Sequence, residues 1–454
     1  MGRSHHVFDL IIIGGGSAGL AALREARKYS SNVLLIQDDP EGNTCARTGC
    51  MPSKSLIHAA TLFHARHKME DAGICGAQKI SADIPTILQR VREKRDAFVA
   101  SVRSGMKQQE QCIIKGRARL HTPTSVRVGS LLLHTKATVI ATGSSPYVSR
   151  EFQEFEDKVF TTDTLFEQNT LPKRMAVIGM GSVGLELAQA LARLGIEVTA
   201  VERNGHLGGV ADMDINEEIL RALQKEMRVW MGCKLGIKRK GQALTLTHKD
   251  EKTVVDALLV TTGRKPNLST LGLKRLGVPL DSAGVPHFNR YTMQIHGFPL
   301  YIAGDATDER AVLHEAVDEG ERAAYHALTG NQEFRHRKVL MTIVFTHPTI
   351  AIIGDSSYAM RNNGIVVGEA SFTDQGRAVV ENEAQGKIRI AANKQDGTLR
   401  GCEMMAPHGE HLAHLIAFGL EQKMTAQEML SMPYYHPSFE EGLKTALKQI
   451  CKAL

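Results

Sequence analysis

The feature that most constrains this fold is a glycine-rich turn that occurs twice. Gly14, Gly16 and Gly19 follow the apolar run 10–13, and Gly179, Gly181 and Gly184 follow the run 175–178. A strand, a tight turn and a helix start in that order let the backbone approach a pyrophosphate, whose charge rests on the helix N-terminus. Each copy is followed by a second predicted strand, 32–36 and 197–201. The interval from first glycine to strand-end residue is identical, Gly14 to Gln37 and Gly179 to Glu202. One such turn is a weak signal, whereas two with matched downstream spacing predict an α/β chain with two Rossmann-like dinucleotide-binding domains.

The strand-end residue is expected to meet an adenosine ribose. Glu202 suits the 2′-hydroxyl of NAD and repels the 2′-phosphate of NADP, while the adjacent Arg203 could reach a phosphate. The first copy has Gln37 where an acid is usual, followed by Asp38 and Asp39. Either Gln37 or Asp38 is the ribose partner on this reading, and Asp38 is taken as the candidate.

Between the two turns lies a pair of cysteines, Cys45 and Cys50, in the run 42–54. A zinc site would need two more ligands at short spacing, and Cys75, Cys112, Cys233, Cys402 and Cys451 are scattered singly. A redox-active dithiol is the reading that remains, and no metal is expected. The apolar positions Leu56, Ala60 and Phe63 predict a helix starting near Cys50, and a helix N-terminus favours the reactive thiolate.

At 454 residues the chain exceeds a single core, and the modest net charge of +6 carries no lysine/arginine block. Nucleic acid is therefore not an expected partner. Seven cysteines in this length are not a secreted disulfide framework. With no apolar run approaching a membrane span and no signal-peptide core, the expectation is a soluble, cytoplasmic protein with no membrane contact.

Taken together, these motifs resemble the class I pyridine nucleotide-disulfide oxidoreductases, dihydrolipoamide dehydrogenases most closely. The resemblance runs over nearly the whole chain and includes Thr142 and Gly143, the run 262–267, Gly304 with Asp305, and His436-Pro437 with Glu441. It implies a glutathione reductase-like architecture with FAD-binding segments at 1–150 and 270–335 and an NAD-binding domain at 151–269. An α+β interface domain would occupy 336–454. Tightly bound, non-covalent FAD would be held by Gly14, Gly16, Gly19, Asp38, Thr44, Lys54, Ala118, Thr142, Gly143 and Asp305. NAD(H), as co-substrate, would be held by Gly179, Gly181, Gly184, Glu202, Gly263 and Arg264.

By the same resemblance Cys45 is the exchange thiol and Cys50 the thiol beside the flavin. Lys54 and Glu186 form an ion pair near the flavin. His436, oriented by Glu441 and followed by a cis Pro437, is the acid–base group, supplied by the second subunit of a homodimer. The implied reaction moves electrons between NAD(H) and a dithiol or disulfide, with dihydrolipoamide/lipoamide as the substrate and a lipoyl-carrying complex as a partner. Pro52-Ser53-Lys54 looks less like glutathione reductase, the tail lacks the vicinal cysteines of mercuric reductase, and transhydrogenases typically lose one cysteine of the pair.

Several positions depart from the pattern. Asn43 stands for a usual glycine, Ala46-Arg47-Thr48 fills the space between the cysteines, and Thr349 stands for a usual glutamate. They leave open an NAD(P)H-dependent reductase of another small disulfide or of a quinone. A redox sensor or a docking subunit is the non-enzyme alternative, although docking alone needs neither Cys45 nor His436. His314 reads equally as a helix-packing residue or a substrate contact.

Overall fold

The computed structural model describes residues 6–38, 43–107, 109–331, 336–355 and 364–454. Asp39 and Gly42 lie outside the described residues. The chain forms two compact units. One is Met1–Pro52, Arg90–Tyr147 and Gly263–Arg337; the other is Ser53–Gln89, Val148–Thr262 and Lys338–Leu454. The chain passes from the first to the second inside the helix Cys50–His64.

In the first unit the strand Val7–Ile13 sits centrally, parallel to Val33–Gln37 on one side and to Leu131–Ile140 on the other. Its near-continuous apolar run suits a strand covered on both faces. Leu10 and Ile12 pack with the helices Ser17–Ala26 and Leu313–Thr329, while Ile11 and Ile13 enter a second core with Leu120, Leu271 and Ile302. The two helices meet where a Cβ on Gly320 would lie 2.1 Å from the Ala18 carbonyl oxygen, so only glycine permits that approach. An antiparallel meander of Ala118–Thr122, Ser125–Val128 and Leu131–Ile140 extends the sheet, and Leu300–Ile302 returns parallel to Leu131–Ile140.

The second unit repeats the parallel theme in the order Arg228–Trp230, Glu197–Val201, Arg174–Ile178, Ala257–Val260, Val159–Phe160. It also holds a five-stranded antiparallel sheet ordered Met341–Val344, Thr349–Gly354, Leu399–Ala406, Lys387–Asn393, Ile365–Ser371. The first of these strands ends at Val344, where Thr346 N–H turns back to the Val344 carbonyl at 2.8 Å. The helices Gly409–Glu421 and Glu441–Ala453 cover this sheet through Leu412, Ile416, Leu443 and Leu447. Fully buried Glu403 accepts from the backbone N–H groups of Ala211 and Asp212, which fixes the loop before the helix Met213–Gln224. No helix among the described residues is long and apolar enough to cross a membrane.

Candidate active site

In the first cradle Gly14 adopts φ +107°, and a Cβ there would lie 2.3 Å from the Ala141 carbonyl oxygen. A Cβ on Gly19 would lie 1.8 Å from the Gly14 carbonyl oxygen, whereas a Cβ on Gly16 would meet nothing within 4 Å. Two glycines therefore close the turn, and the third faces open space at the N-terminus of the helix Ser17–Ala26. That is the arrangement a pyrophosphate requires. Gln37 is buried, with its side-chain oxygen against Gly15. Asp38 is exposed, its carboxylate 3.8 Å from Arg117. The geometry puts Gln37, and not Asp38, against the cradle.

Behind the turn, the Thr142 hydroxyl is buried with no hydrogen-bond partner among the described residues. Asn267 braces this crossover, donating Nδ2 to the Thr142 carbonyl (3.1 Å) and its backbone N–H to the Gly143 carbonyl (2.9 Å). Ser144 Oγ donates to Asp305 Oδ2 at 2.8 Å and accepts from Arg264 Nε at 2.7 Å. Arg264 also donates Nη2 to the Ser144 carbonyl, also at 2.7 Å, so its guanidinium orients Ser144 and Asp305. This trio went unnoticed in the sequence because its members lie on three distant segments. Ala118 is buried in the meander, Thr44 is exposed in the short helix Thr44–Arg47, and the Gly263 carbonyl accepts from Tyr147 N–H.

The second cradle repeats the geometry. A Cβ on Gly179 (φ +92°) would lie 2.9 Å from the Thr261 carbonyl oxygen and one on Gly184 1.9 Å from the Gly179 carbonyl oxygen, while Gly181 faces open space. Glu202 is buried at the strand end and accepts from the N–H groups of Met180 (2.8 Å) and Asn204 (2.7 Å). Those bonds hold the carboxylate beside the turn. Arg203 is exposed.

Cys45 is half-buried in Thr44–Arg47, a turn capped by Asn43, whose Oδ1 accepts from Ala46 N–H at 2.8 Å. Asparagine at this departure from the family pattern therefore works as a helix cap. Cys50 is exposed as the first residue of the helix Cys50–His64. One turn on, Lys54 Nζ lies 2.7 Å from Glu186 Oε2 and 4.7 Å from the centre of the Phe345 ring. Glu186, 5% exposed, receives the Phe345 backbone N–H on its other oxygen at 2.9 Å. A cavity of about 140 Å³ behind this pair, lined by Glu186, Gln189, Arg193 and His347, is too small for a nucleotide.

His436 Nδ1 lies 3.0 Å from Glu441 Oε2, and the His436–Pro437 peptide is cis. The His436 hydrogen bond holds Glu441 below the usual carboxylate range. The imidazole is exposed, as is the neighbouring Tyr435. His314 is exposed on the first turn of its helix, so the helix-packing reading does not hold for it. A second histidine–carboxylate pair, His347 with Glu383, was missed in sequence; the His347-Pro348 dipeptide was its signal.

Two cradles of this kind define a protein that passes reducing equivalents between two dinucleotides, and the dithiol at the head of a helix adds sulfur chemistry. Residues 8–320 match the pyridine nucleotide-disulphide oxidoreductase family, residues 340–447 match its dimerisation domain, and the chain belongs to that family. Dihydrolipoyl dehydrogenase of Thermus scotoductus is 30% identical, covering 98% of each chain. Leghemoglobin reductase of Glycine max is 28% identical over 96% of this chain and 86% of its own. The HOCl-induced flavoprotein disulfide reductase RclA of Escherichia coli shares the fold, with a TM-score of 0.82, 20% identity, and coverage of 97% of this chain and 99% of its own. The chain is accordingly a FAD-dependent disulfide oxidoreductase that uses NAD(H), and it is a homodimer. The open faces of Gly16 and Gly181 and the orphaned Thr142 hydroxyl fit those two dinucleotides.

Proposed function

We propose that this enzyme exchanges electrons between NAD(H) and a small dithiol/disulfide of the dihydrolipoamide/lipoamide type. The observation that carries the reading is the conjunction of a Cys45/Cys50 pair at a helix start with the His436–Glu441 pair in the dimerisation segment. Bound FAD supplies two-electron transfer between the cysteine pair and NAD(H). The remaining chemistry belongs to the chain. Cys45 thiolate attacks one sulfur of the substrate disulfide, breaking the S–S bond and forming a mixed disulfide. The departing substrate sulfur takes a proton from His436 of the second copy. Cys50, as its thiolate, then attacks the Cys45 sulfur, which closes the Cys45–Cys50 disulfide and releases the second substrate sulfur as a thiolate that takes its proton from solvent. Dihydrolipoamide oxidation is the same sequence reversed, with His436 receiving one thiol proton at the nitrogen not facing Glu441 and solvent taking the other.

Under this proposal the first cradle, with Gln37 in place of Asp38 at the ribose, Thr44, Lys54, Ala118, Thr142, Gly143 and Asp305, holds FAD. The second, with Glu202, Gly263 and Arg264, takes NAD(H). The pairing with Glu186 fixes the position of the Lys54 ammonium one turn beyond Cys50. FAD-binding segments 1–150 and 270–335, an NAD-binding domain at 151–269 and an interface domain at 336–454 are the proposed domains. Exposed Val380, Phe418, Met432 and Tyr435 all lie within the dimerisation match and support a shared active site. A cytoplasmic location and a lipoyl-carrying partner complete the reading.

The test is steady-state turnover of NADH and NADPH with lipoamide and oxidised glutathione in parallel. Lipoamide turnover with NADH preferred is expected. Turnover of glutathione alone, or of neither disulfide, overturns the substrate.

A further inference from the structure

His408, Glu410 and His411 converge at the start of the helix Gly409–Glu421, each offering one ligand atom within 4.8 Å of the other two. The backbone is bent to bring them there. His408 is held at φ 50°, a left-handed conformation uncommon for a side chain-bearing residue, and its side chain makes no capping hydrogen bond. Gly409 follows because a Cβ there would lie 2.9 Å from the Thr349 carbonyl oxygen. The bend lays the His408 ring over that of His411, with centroids 6.3 Å apart, and against Phe439 at 5.0 Å. Thr349 Oγ1 donates to Glu410 Oε2 at 2.8 Å, while Glu410 Oε1 lies 3.8 Å from His411 Nε2. The hydroxyl fixes one carboxylate oxygen and leaves the other facing the imidazole, an orienting contact of the kind that metal-ligating carboxylates receive. A glutamate at 349 would instead set a second carboxylate against the first.

We propose that His408, Glu410 and His411 bind a divalent transition-metal ion of the zinc type. Two imidazole nitrogens and one carboxylate oxygen suit Zn²⁺, Cu²⁺ or Ni²⁺, whereas Ca²⁺ and Mg²⁺ prefer oxygen donors alone. Metal–ligand bonds of about 2.0–2.2 Å need the donors roughly 3.4 Å apart, a contraction within reach of a His411 side chain that is 72% exposed. The positive end of the helix opposes a cation there. Glu410 counters it, as does Glu381, whose Oε2 lies 3.8 Å from His408 Nε2 while Oε1 pairs with Arg377. His414 donates Nδ1 to the Glu410 carbonyl and is not a ligand in this arrangement. Three protein ligands leave an open position, so the ion exchanges rather than staples the fold. None of the three residues has a part in the thiol–disulfide chemistry.

The experiment is Zn²⁺ titration by calorimetry of the oxidised, flavin-loaded dimer after alkylation of its accessible thiols, which removes sulfur ligands from competition. One ion per chain is expected, with His408→Ala and His411→Ala each weakening it at least roughly tenfold and Ca²⁺ giving no heat at the same concentration. Because His411 is exposed, its replacement leaves the fold intact, as flavin content and circular dichroism would report. A Co²⁺-loaded sample should show the visible bands of a four- or five-coordinate site, lost in His411→Ala. Absence of saturable Zn²⁺ binding in the parent enzyme, or unchanged affinity in both variants, overturns the proposal.

Discussion

Gly16→Ala and Gly19→Ala separate a ligand cradle from a merely tight turn. Gly16 has φ −76° and ψ −168°, a conformation any residue adopts, and its added methyl would meet no atom within 4 Å. Apoprotein stability should therefore change by under about 1 kcal/mol, with the sign favouring alanine. The same methyl occupies the space where a pyrophosphate must rest, and a steric conflict of about 1–3 kcal/mol predicts a loss of FAD affinity of roughly 5- to 150-fold. At Gly19 the methyl lands 1.8 Å from the Gly14 carbonyl oxygen, so the turn itself must move by more than 1 Å. That overpacking should cost about 3 kcal/mol in the apoprotein as well as the holoenzyme. The assays are flavin absorbance per chain after desalting and thermal unfolding of the apoprotein. Unchanged FAD affinity in Gly16→Ala, or unfolding as severe as in Gly19→Ala, would refute the reasoning.

Lys54→Met leaves the buried Glu186 carboxylate with the Phe345 N–H as its one donor among the described residues, and should cost about 2 kcal/mol in denaturant unfolding because Lys54 itself is partly solvated. Adding Glu186→Gln should recover part of that loss, and no recovery would assign the loss to the packing of the lysine rather than to its pairing with Glu186. Glu441→Gln should lower lipoamide turnover at least roughly tenfold with flavin content and dimerisation unchanged; equal loss of flavin would point to a structural role. Burial raises the Glu319 carboxyl from 4.5 to about 7, against the pull of Arg337. The folded state then holds a proton the unfolded state has released. The contribution, on the order of 3 kcal/mol, is fully present below pH 4.5 and lost as pH rises to 7. Glu319→Gln should flatten that part of the stability–pH curve, and an unaltered slope would assign it to other groups.

The two cradles were legible in the sequence because closing such a turn forces glycine at fixed intervals, and the observed carbonyl approaches at Gly14, Gly19, Gly179 and Gly184 are that requirement in atoms. The helix start at Cys50 was equally legible, since Leu56 and Ala60 line one buried face. Contacts between distant segments were not. Nothing local to Ser144 announces its bonds to Arg264 and Asp305, and nothing local to Phe345 announces that its N–H holds Glu186. The choice between Gln37 and Asp38 was likewise tertiary: the last strand residue faces the turn, and the next residue leaves the sheet for solvent. Thr349 looked like a bare departure until Glu410 proved to be the acceptor of its hydroxyl.

The central claim, a dithiol working beside FAD, is tested most directly by anaerobic reduction of the purified protein with NADH while its visible spectrum is recorded. A long-wavelength charge-transfer band is predicted in the parent enzyme. In Cys45→Ser, which loses disulfide turnover, the band should already be present before NADH is added, because the lone Cys50 thiolate needs no reduction to face oxidised flavin, and the thiolate band should be missing from Cys50→Ser. A band that survives Cys50→Ser, or flavin reduction with no band in the parent enzyme, would contradict the account.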